Sequence, residues 1–238
     1  MAQAGVFYTR LRVHKRLAAD QTLSKQERIG LKGRRNPFVA REGIPFVAIT
    51  LIGIVVAWQY AGVNYAIPAA ILFIYFVLVF RDPRRNVPAV PLGIVSPVDG
   101  TVADIGLTDK SVLNGEAHKI IIRVNSLGTY TARCPIEGKI MDFRGDQPNK
   151  QVPAETSGLW VRTDEDDDVV LQFHGHRFGL APSAFLRYGE RVGQGQRCAY
   201  LRLTRIAEVQ LPINGRVLVT AGQRVAAGSD VLAKLPHA

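Results

Sequence analysis

Apolar and polar positions divide the chain into three textures. Residues 44–60 and 63–80 hold no charged side chain, and only Gly62-Val63-Asn64-Tyr65 reads as a turn between them. The 37 uncharged residues from 44 to 80 exceed one membrane span, which takes roughly 20 with a lower limit near 17, and suit two short spans. A buried core hairpin would show the same apolar run. Basic residues crowd both of its ends and are missing from its turn, which favours a membrane. From residue 87 onward the texture changes to short β-branched runs between turn residues, predicting strands at 93–95, 101–105, 119–124, 139–143, 159–162, 169–174, 199–203, 207–211 and 216–220. A short helical turn is expected at 183–186. The chain is therefore read as an arm (1–42), a transmembrane helical hairpin (43–80) and a β-rich domain (81–238), with a mainly β, hairpin-built sandwich or barrel-like fold.

Turn chemistry supports that architecture. Pro97-Val98-Asp99-Gly100-Thr101-Val102, Pro135-Ile136-Glu137-Gly138-Lys139-Ile140 and Pro212-Ile213-Asn214-Gly215-Arg216-Val217 share one pattern. Proline presets one dihedral and glycine is expected to supply a positive φ, so each reads as a tight reversal feeding a strand. A second echo links Gly189-Glu190-Arg191-Val192-Gly193-Gln194-Gly195 to Gly222-Gln223-Arg224-Val225-Ala226-Ala227-Gly228. Folds that carry lipoyl or biotinyl groups use similar turns, but no Lys stands in the Met-Lys setting such carriage needs. The acidic run from Asp164 to Asp168 reads as a solvated hairpin tip, since five consecutive acids repel and cannot all point inward. His174 and His176, at spacing two, would share one strand face. Zinc would need a third ligand, and no second cluster is evident, so ordinary partly buried histidines are expected.

Charge adds an orientation. Of a net +10 over 238 residues, residues 1–42 carry +7, from ten Lys or Arg against three acids. Arg81, Asp82, Arg84 and Arg85 add +2 at the hairpin exit. By the positive-inside rule both termini and the β domain lie in the cytoplasm, with Trp58, Tyr60 and Tyr65 at the far interface. Arg10, Arg12, Lys15, Arg16, Arg34 and Arg35, with Arg81, Arg84 and Arg85, are expected at the membrane surface. Phe7, Leu11, Val13 and Leu17 give the arm an imperfect amphipathicity that suits anionic lipid or a protein partner equally. Stacking aromatics and reader motifs are missing there, so nucleic acid is not an expected partner. Cys134 and Cys198, far apart in sequence, read as two reduced buried thiols.

A family resemblance enters at the hairpin exit. Val79-Phe80-Arg81-Asp82-Pro83-Arg84-Arg85-Asn86-Val87-Pro88, followed by Val95-Ser96-Pro97-Val98-Asp99-Gly100-Thr101-Val102, resembles the phosphatidylserine decarboxylase family, in particular its short bacterial, membrane-anchored members. The likeness continues through Arg133-Cys134-Pro135-Ile136-Glu137-Gly138, residues 189–195 and Glu208-Val209-Gln210-Leu211-Pro212. It implies a phosphatidylserine decarboxylase-like fold in the bacterial inner membrane. It also implies a chemistry in which a Ser after a Gly attacks the preceding carbonyl and leaves a pyruvoyl group, which takes up the substrate amine. The resemblance places a His base beside the Asp of the Ser-Pro-x-Asp-Gly turn.

Carried over residue by residue, the Asp is Asp99, but the His position falls on Tyr130 and the Gly-Ser on Thr204-Arg205. A one-residue insertion would put Thr204 in the Ser position and Leu203 in the Gly position. Arginine has no hydroxyl, and tyrosine, with a pKa about 10, is a poor base at neutral pH. The expectation is an inactive relative that needs no cofactor. It would serve as a subunit of a membrane-protein complex or bind phospholipid, in a pocket around Asp99, Tyr130, His174 and His176. The alternative is an active pyruvoyl-dependent decarboxylase making phosphatidylethanolamine.

Overall fold

A computed structural model describes residues 38–108, 115–143, 157–175, 180–184 and 186–236. The basic arm, with Arg10, Arg12, Lys15, Arg16, Arg34 and Arg35, lies outside the described residues, as does His176.

A short 3-10 turn, Arg41–Gly43, leads into helix α1 (Ile44–Ala61), and α2 (Val63–Val79) follows directly. The expected four-residue turn shrinks to Gly62, whose φ of 86° breaks the helix at a position glycine occupies without steric cost. Ala66 is buried in α2, while Ile49, Ile52, Trp58 and Ile71 point outward at 62–68% exposure. Helices apolar all round are typical of segments surrounded by protein core or by a bilayer. At 1.5 Å per residue the helices are about 27 and 25 Å long, close to a bilayer's hydrocarbon thickness. Among the described residues, Arg41–Tyr60 alone are long and apolar enough to cross a membrane, and Val63–Val79 is shorter. Phe46 stacks on Phe80 at 5.5 Å and closes the base of the hairpin.

The β domain comprises β1 (Gly93–Val95), β2 (Gly100–Thr108), β3 (Ala117–Val124), β4 (Thr131–Arg133), β5 (Gly138–Phe143), β6 (Ser157–Arg162), β7 (Asp168–His174), β8 (Ser183–Ala184), β9 (Arg191–Val192), β10 (Arg197–Tyr200), β11 (Ile206–Pro212), β12 (Arg216–Val217), β13 (Arg224–Val225) and β14 (Val231–Lys234). An eight-stranded antiparallel sheet is ordered β13-β2-β3-β11-β7-β6-β5-β9, beside three-stranded sheets β1-β14-β12 and β4-β10-β8. The large sheet does not close into a barrel. Its outermost strands, β13 and β9, are two residues long and pair on one side only.

That order is a palindrome of two halves meeting at β11 and β7. One half runs continuously from β4 to β10, and the other is β1–β3 with β11–β14, so the first is inserted into a connection of the second. Matching details repeat across the halves. Ser96 N–H donates to Asp230 O at 2.8 Å as Cys134 N–H donates to Gln196 O at 2.6 Å. Gly228 N–H donates to Ser96 O at 2.7 Å as Gly195 N–H donates to Cys134 O at 2.9 Å. Strand β2 shifts register after Val102 and β5 after Ile140, each two residues beyond the turn glycine.

The turn glycines need correction. Gly100, Gly138 and Gly215 do not have positive φ. A Cβ at Gly100 or Gly138 would lie 2.2 Å from the carbonyl oxygen of Arg123 or Arg162, so close backbone approach excludes a side chain. Positive φ belongs to the second echo, at Gly189, Gly195, Gly222 and Gly228. The core is apolar and continuous through both halves, including Ile94, Val98, Ile120, Ile122, Ile140, Leu171, Val209, Leu211 and Leu232.

Several other expectations change. The helical turn expected at 183–186 is replaced by β8, which pairs with β10. The strand expected at 199–203 is shifted to Arg197–Tyr200, because Arg202 takes a left-handed φ of 51° and ends it. Strands β4, β9, β13 and β14 are two to four residues long and carry too little pattern to be read in advance. The acidic run does form the β6–β7 tip, closed by Thr163 N–H donating to Asp167 O at 2.9 Å. Cys134 and Cys198 are free and buried, and lie in hydrogen-bonding contact. That contact and burial push the Cys134 thiol up.

The hairpin exit is tied to the domain by a buried ion cluster. Arg133 on β4 is the register partner of Arg197 on β10. Asp82 meets Arg133 at 3.4 Å and Arg197 at 2.5 Å, with all three side chains at most 6% exposed. Arg133 also donates to Pro83 O at 2.9 Å and Gly195 O at 3.2 Å. Removing the carboxylate leaves two buried guanidiniums facing each other. Asp82→Ala is expected to cost about 3–5 kcal/mol, read as a Tm lower by roughly 10 °C in detergent, with Asp82→Asn in between.

Candidate functional site

The two connections between the halves, from β3 to β4 and from β10 to β11, run side by side. Leu201 N–H donates to Tyr130 O at 2.9 Å and Val124 N–H donates to Arg205 O at 2.8 Å. Asp99 sits beneath them, tied by Asn125 N–H donating to its carbonyl at 2.8 Å. The neighbouring Gly128 is obligatory, since a Cβ there would lie 2.7 Å from the Asp99 Cβ.

The Asp99 carboxylate is fully engaged. Oδ1 accepts the Ala227 N–H at 2.7 Å, and Oδ2 accepts the Thr129 N–H at 3.0 Å and Arg85 Nη2 at 2.7 Å. Its counterpart in the other half, Glu137, is exposed, so the symmetry is broken here. Arg85, expected at the membrane surface, instead reaches inward to Asp99 with its side chain 26% exposed. Arg84 stays exposed.

Tyr130 turns away from Asp99. Its ring meets Phe80 edge-on at 4.8 Å and Tyr200 at 5.8 Å, and its hydroxyl donates to Glu42 Oε2 at 2.8 Å. Glu42 also accepts from Arg202, at 2.8 Å on Oε1 and 3.3 Å on Oε2. Burial, then the Glu42 carboxylate, holds the Tyr130 phenol well above its ordinary value. The same carboxylate raises the Arg202 guanidinium. In the following turn Leu203 is exposed, while Thr204 is buried and donates its hydroxyl to Leu201 O at 2.6 Å. Arg205 lies beside Gly175, its Cβ 3.7 Å from where a Gly175 Cβ would stand.

His174 is engaged elsewhere. It lies 3.2 Å from Glu208 across the β7–β11 pair, and Glu208 accepts from Gln210 at 2.8 Å. Burial works against ionisation of Glu208, but the His174 and Gln210 contacts outweigh it and leave its pKa lowered. Asp99 and Tyr130 are thus brought together with residues 201–205, and His174, the register partner of Ile206, directs its side chain to Glu208.

No family model matches the chain. The phosphatidylserine decarboxylase proenzyme of Burkholderia ambifaria strain MC40-6 is 30% identical over 208 residues, spanning 84% of this chain and 97% of that protein. The proenzyme of Aromatoleum aromaticum is 30% identical over 209 residues with the same coverage. The chain belongs to the phosphatidylserine decarboxylase family. Among solved structures, glucose permease IIA from Mycoplasma capricolum aligns at a TM-score of 0.40 and 17% identity, over 60% of this chain and 94% of that one, too loosely to bear on the fold.

Tyr130, onto which the resemblance was expected to carry the base, is a phenol bonded to Glu42. Arg205, onto which the ungapped count from Pro212 was expected to carry the Ser, directly precedes β11. Strand β11 pairs in unbroken register with β3 from Ile206 to Pro212, and with β7 from Ile206 to Gln210. Sequence reading missed Glu42 and Arg202. The available signal was a lone acid between Arg41 and the apolar segment, a place where an uncompensated carboxylate is costly.

A phenol whose folded pKa is raised contributes stability that is present below its unfolded value, near 10, and lost as pH rises through the folded value. Tyr130→Phe should lower stability by about 1 kcal/mol at pH 8 through the lost hydrogen bond. Thermal melts at pH 8, 10 and 11 should show the two proteins converging above pH 10.

Proposed function

We propose that this family member is catalytically inactive and serves the membrane as a subunit of a protein complex or as a phospholipid-binding protein. The observation that carries the reading is the Tyr130 hydroxyl. A general base must accept a proton near neutral pH, and this phenol donates to a carboxylate that keeps it protonated. Residues 203–205 add a second deficit. The Gly-Ser position holds Thr204-Arg205, and the one hydroxyl there is committed to a backbone carbonyl. The relatives are named proenzymes, which favours the alternative of an active decarboxylase with a pyruvoyl group formed from its own chain.

Intact-mass measurement separates these readings. The inactive protein gives the full-length chain, whereas an active one gives two fragments with a keto-acyl end near residue 204 or 205. Cooperative catalytic groups lose factors of 10⁴ or more when one is removed, with little left to lose after the first. Thr204→Gly with Arg205→Ser should therefore stay uncleaved unless Tyr130→His is added. A blocked fragment in the unmodified protein would return it to the lyases.

The helical hairpin is read as the anchor, in the bacterial inner membrane, with both ends and the β domain cytoplasmic. The Lys and Arg asymmetry supports this orientation. Asn64→Cys should react with an impermeant thiol reagent outside intact cells. Reaction at Ser157→Cys under the same conditions would overturn the orientation.

A further inference from the structure

We propose that the loops around Tyr130 form an apolar rim that seats in the headgroup region of the bilayer entered by the helical hairpin. The inference rests on the anchor reading and names the surface with which the β domain meets that membrane. Four large apolar side chains carry it: Phe38, Leu127, Leu180 and Leu203 are 63, 56, 45 and 43% exposed. Single exposed leucines are ordinary on a protein surface. These four come from four separate segments, and each is tied within a few residues to the base of the hairpin.

The ties are short. Leu203 follows Arg202, whose guanidinium holds Glu42, and Ile44 opens α1 two residues beyond Glu42. Leu180 precedes Ala181, whose carbonyl accepts from Arg202 Nη1 at 3.2 Å. Leu127 stands in a turn closed by Gly128 N–H donating to Asn125 O at 3.0 Å. Three residues on, Tyr130 N–H donates to Arg81 O at 3.1 Å, at the exit of α2. Phe38 O accepts the Asp82 N–H at 2.8 Å.

Two further observations favour lipid over a protein partner. Arg41 and Arg84 are exposed at the same entry and exit, matching an anionic surface. The interfacial zone is roughly 5–8 Å deep on each side of the hydrocarbon, and the ties above hold the four side chains next to the segments that enter and leave the hairpin. Arg202 also keeps a left-handed φ of 51°, a conformation that a residue with a side chain holds only where its neighbours impose it. Glu42 and Ala181 impose it, and the turn then leaves Leu203 outside the core.

The test uses the full chain in vesicles of phosphatidylethanolamine and phosphatidylglycerol that contain a lipid with a headgroup nitroxide. Leu127→Cys and Leu203→Cys would carry an environment-sensitive fluorophore, since native Cys134 and Cys198 are buried. Leu107→Cys is the control. It is equally apolar and 60% exposed, but seven residues along β2 from Gly100, about 23 Å at strand rise. Ile71→Cys, within α2, reports the anchor itself. The rim predicts quenching at 127 and 203 at least about threefold stronger than at 107. Quenching at 71 without quenching at 127 and 203, or equal quenching at 107, overturns the rim and leaves the anchor standing. No lipid quenching at 71, with either a headgroup or an acyl-chain nitroxide, overturns the anchor and the rim with it.

Discussion

Two arginines face each other across β4 and β10, and they cannot be buried together without a counter-charge. Asp82 supplies it from outside the sheets, on the segment leaving the helical hairpin. In a low-dielectric interior the repulsion between two guanidiniums would open the strand pair, so the exit segment is an integral part of the β domain's packing. Arg133 then fastens that segment further through Pro83 O. The helical hairpin and the β domain consequently share one structural junction, and everything near it inherits a defined position relative to the hairpin.

The candidate site grows from that junction and from the duplicated topology. Insertion of one half into the other forces two connections to pass beside each other, and Tyr130 and the 201–205 turn stand on them. Symmetry would leave both halves alike, but Asp99 is buried under the crossing while Glu137 faces solvent. The buried carboxylate closes the crossing by accepting two backbone N–H groups and Arg85. Such a group is structural whatever happens to the neighbouring chemistry. On the proposed reading, this is why an Asp placed to orient a base can persist when the base has become tyrosine. Its removal would orphan two buried amides.

A second polar cluster, formed by Glu42, Tyr130 and Arg202, joins the start of the hairpin to the turn at residues 201–204. It holds residues 201–204 in a compact left-handed turn with the Thr204 hydroxyl folded back on Leu201. The turn is braced by charges that sequence spacing does not relate to it.

What the sequence determined by itself is local. Uncharged length marked out two apolar helices. Proline-glycine punctuation located most of the longer strands, and the ordered motifs Phe80-Arg81-Asp82-Pro83 and Ser96-Pro97-Val98-Asp99-Gly100 named the family. These are short-range properties, written in neighbouring residues. Only the tertiary structure decided why Gly100 and Gly138 are glycines, because the carbonyl that excludes a Cβ belongs to another strand. It also decided that Arg85 pairs with Asp99, and that Cys134 and Cys198 touch. The pairing of Glu42 with Tyr130 and Arg202 was hidden for the same reason: these are contacts across 88 and 160 residues of chain. Charge and hydrogen bonding act through space, and the spaces were set by how the two halves interleave.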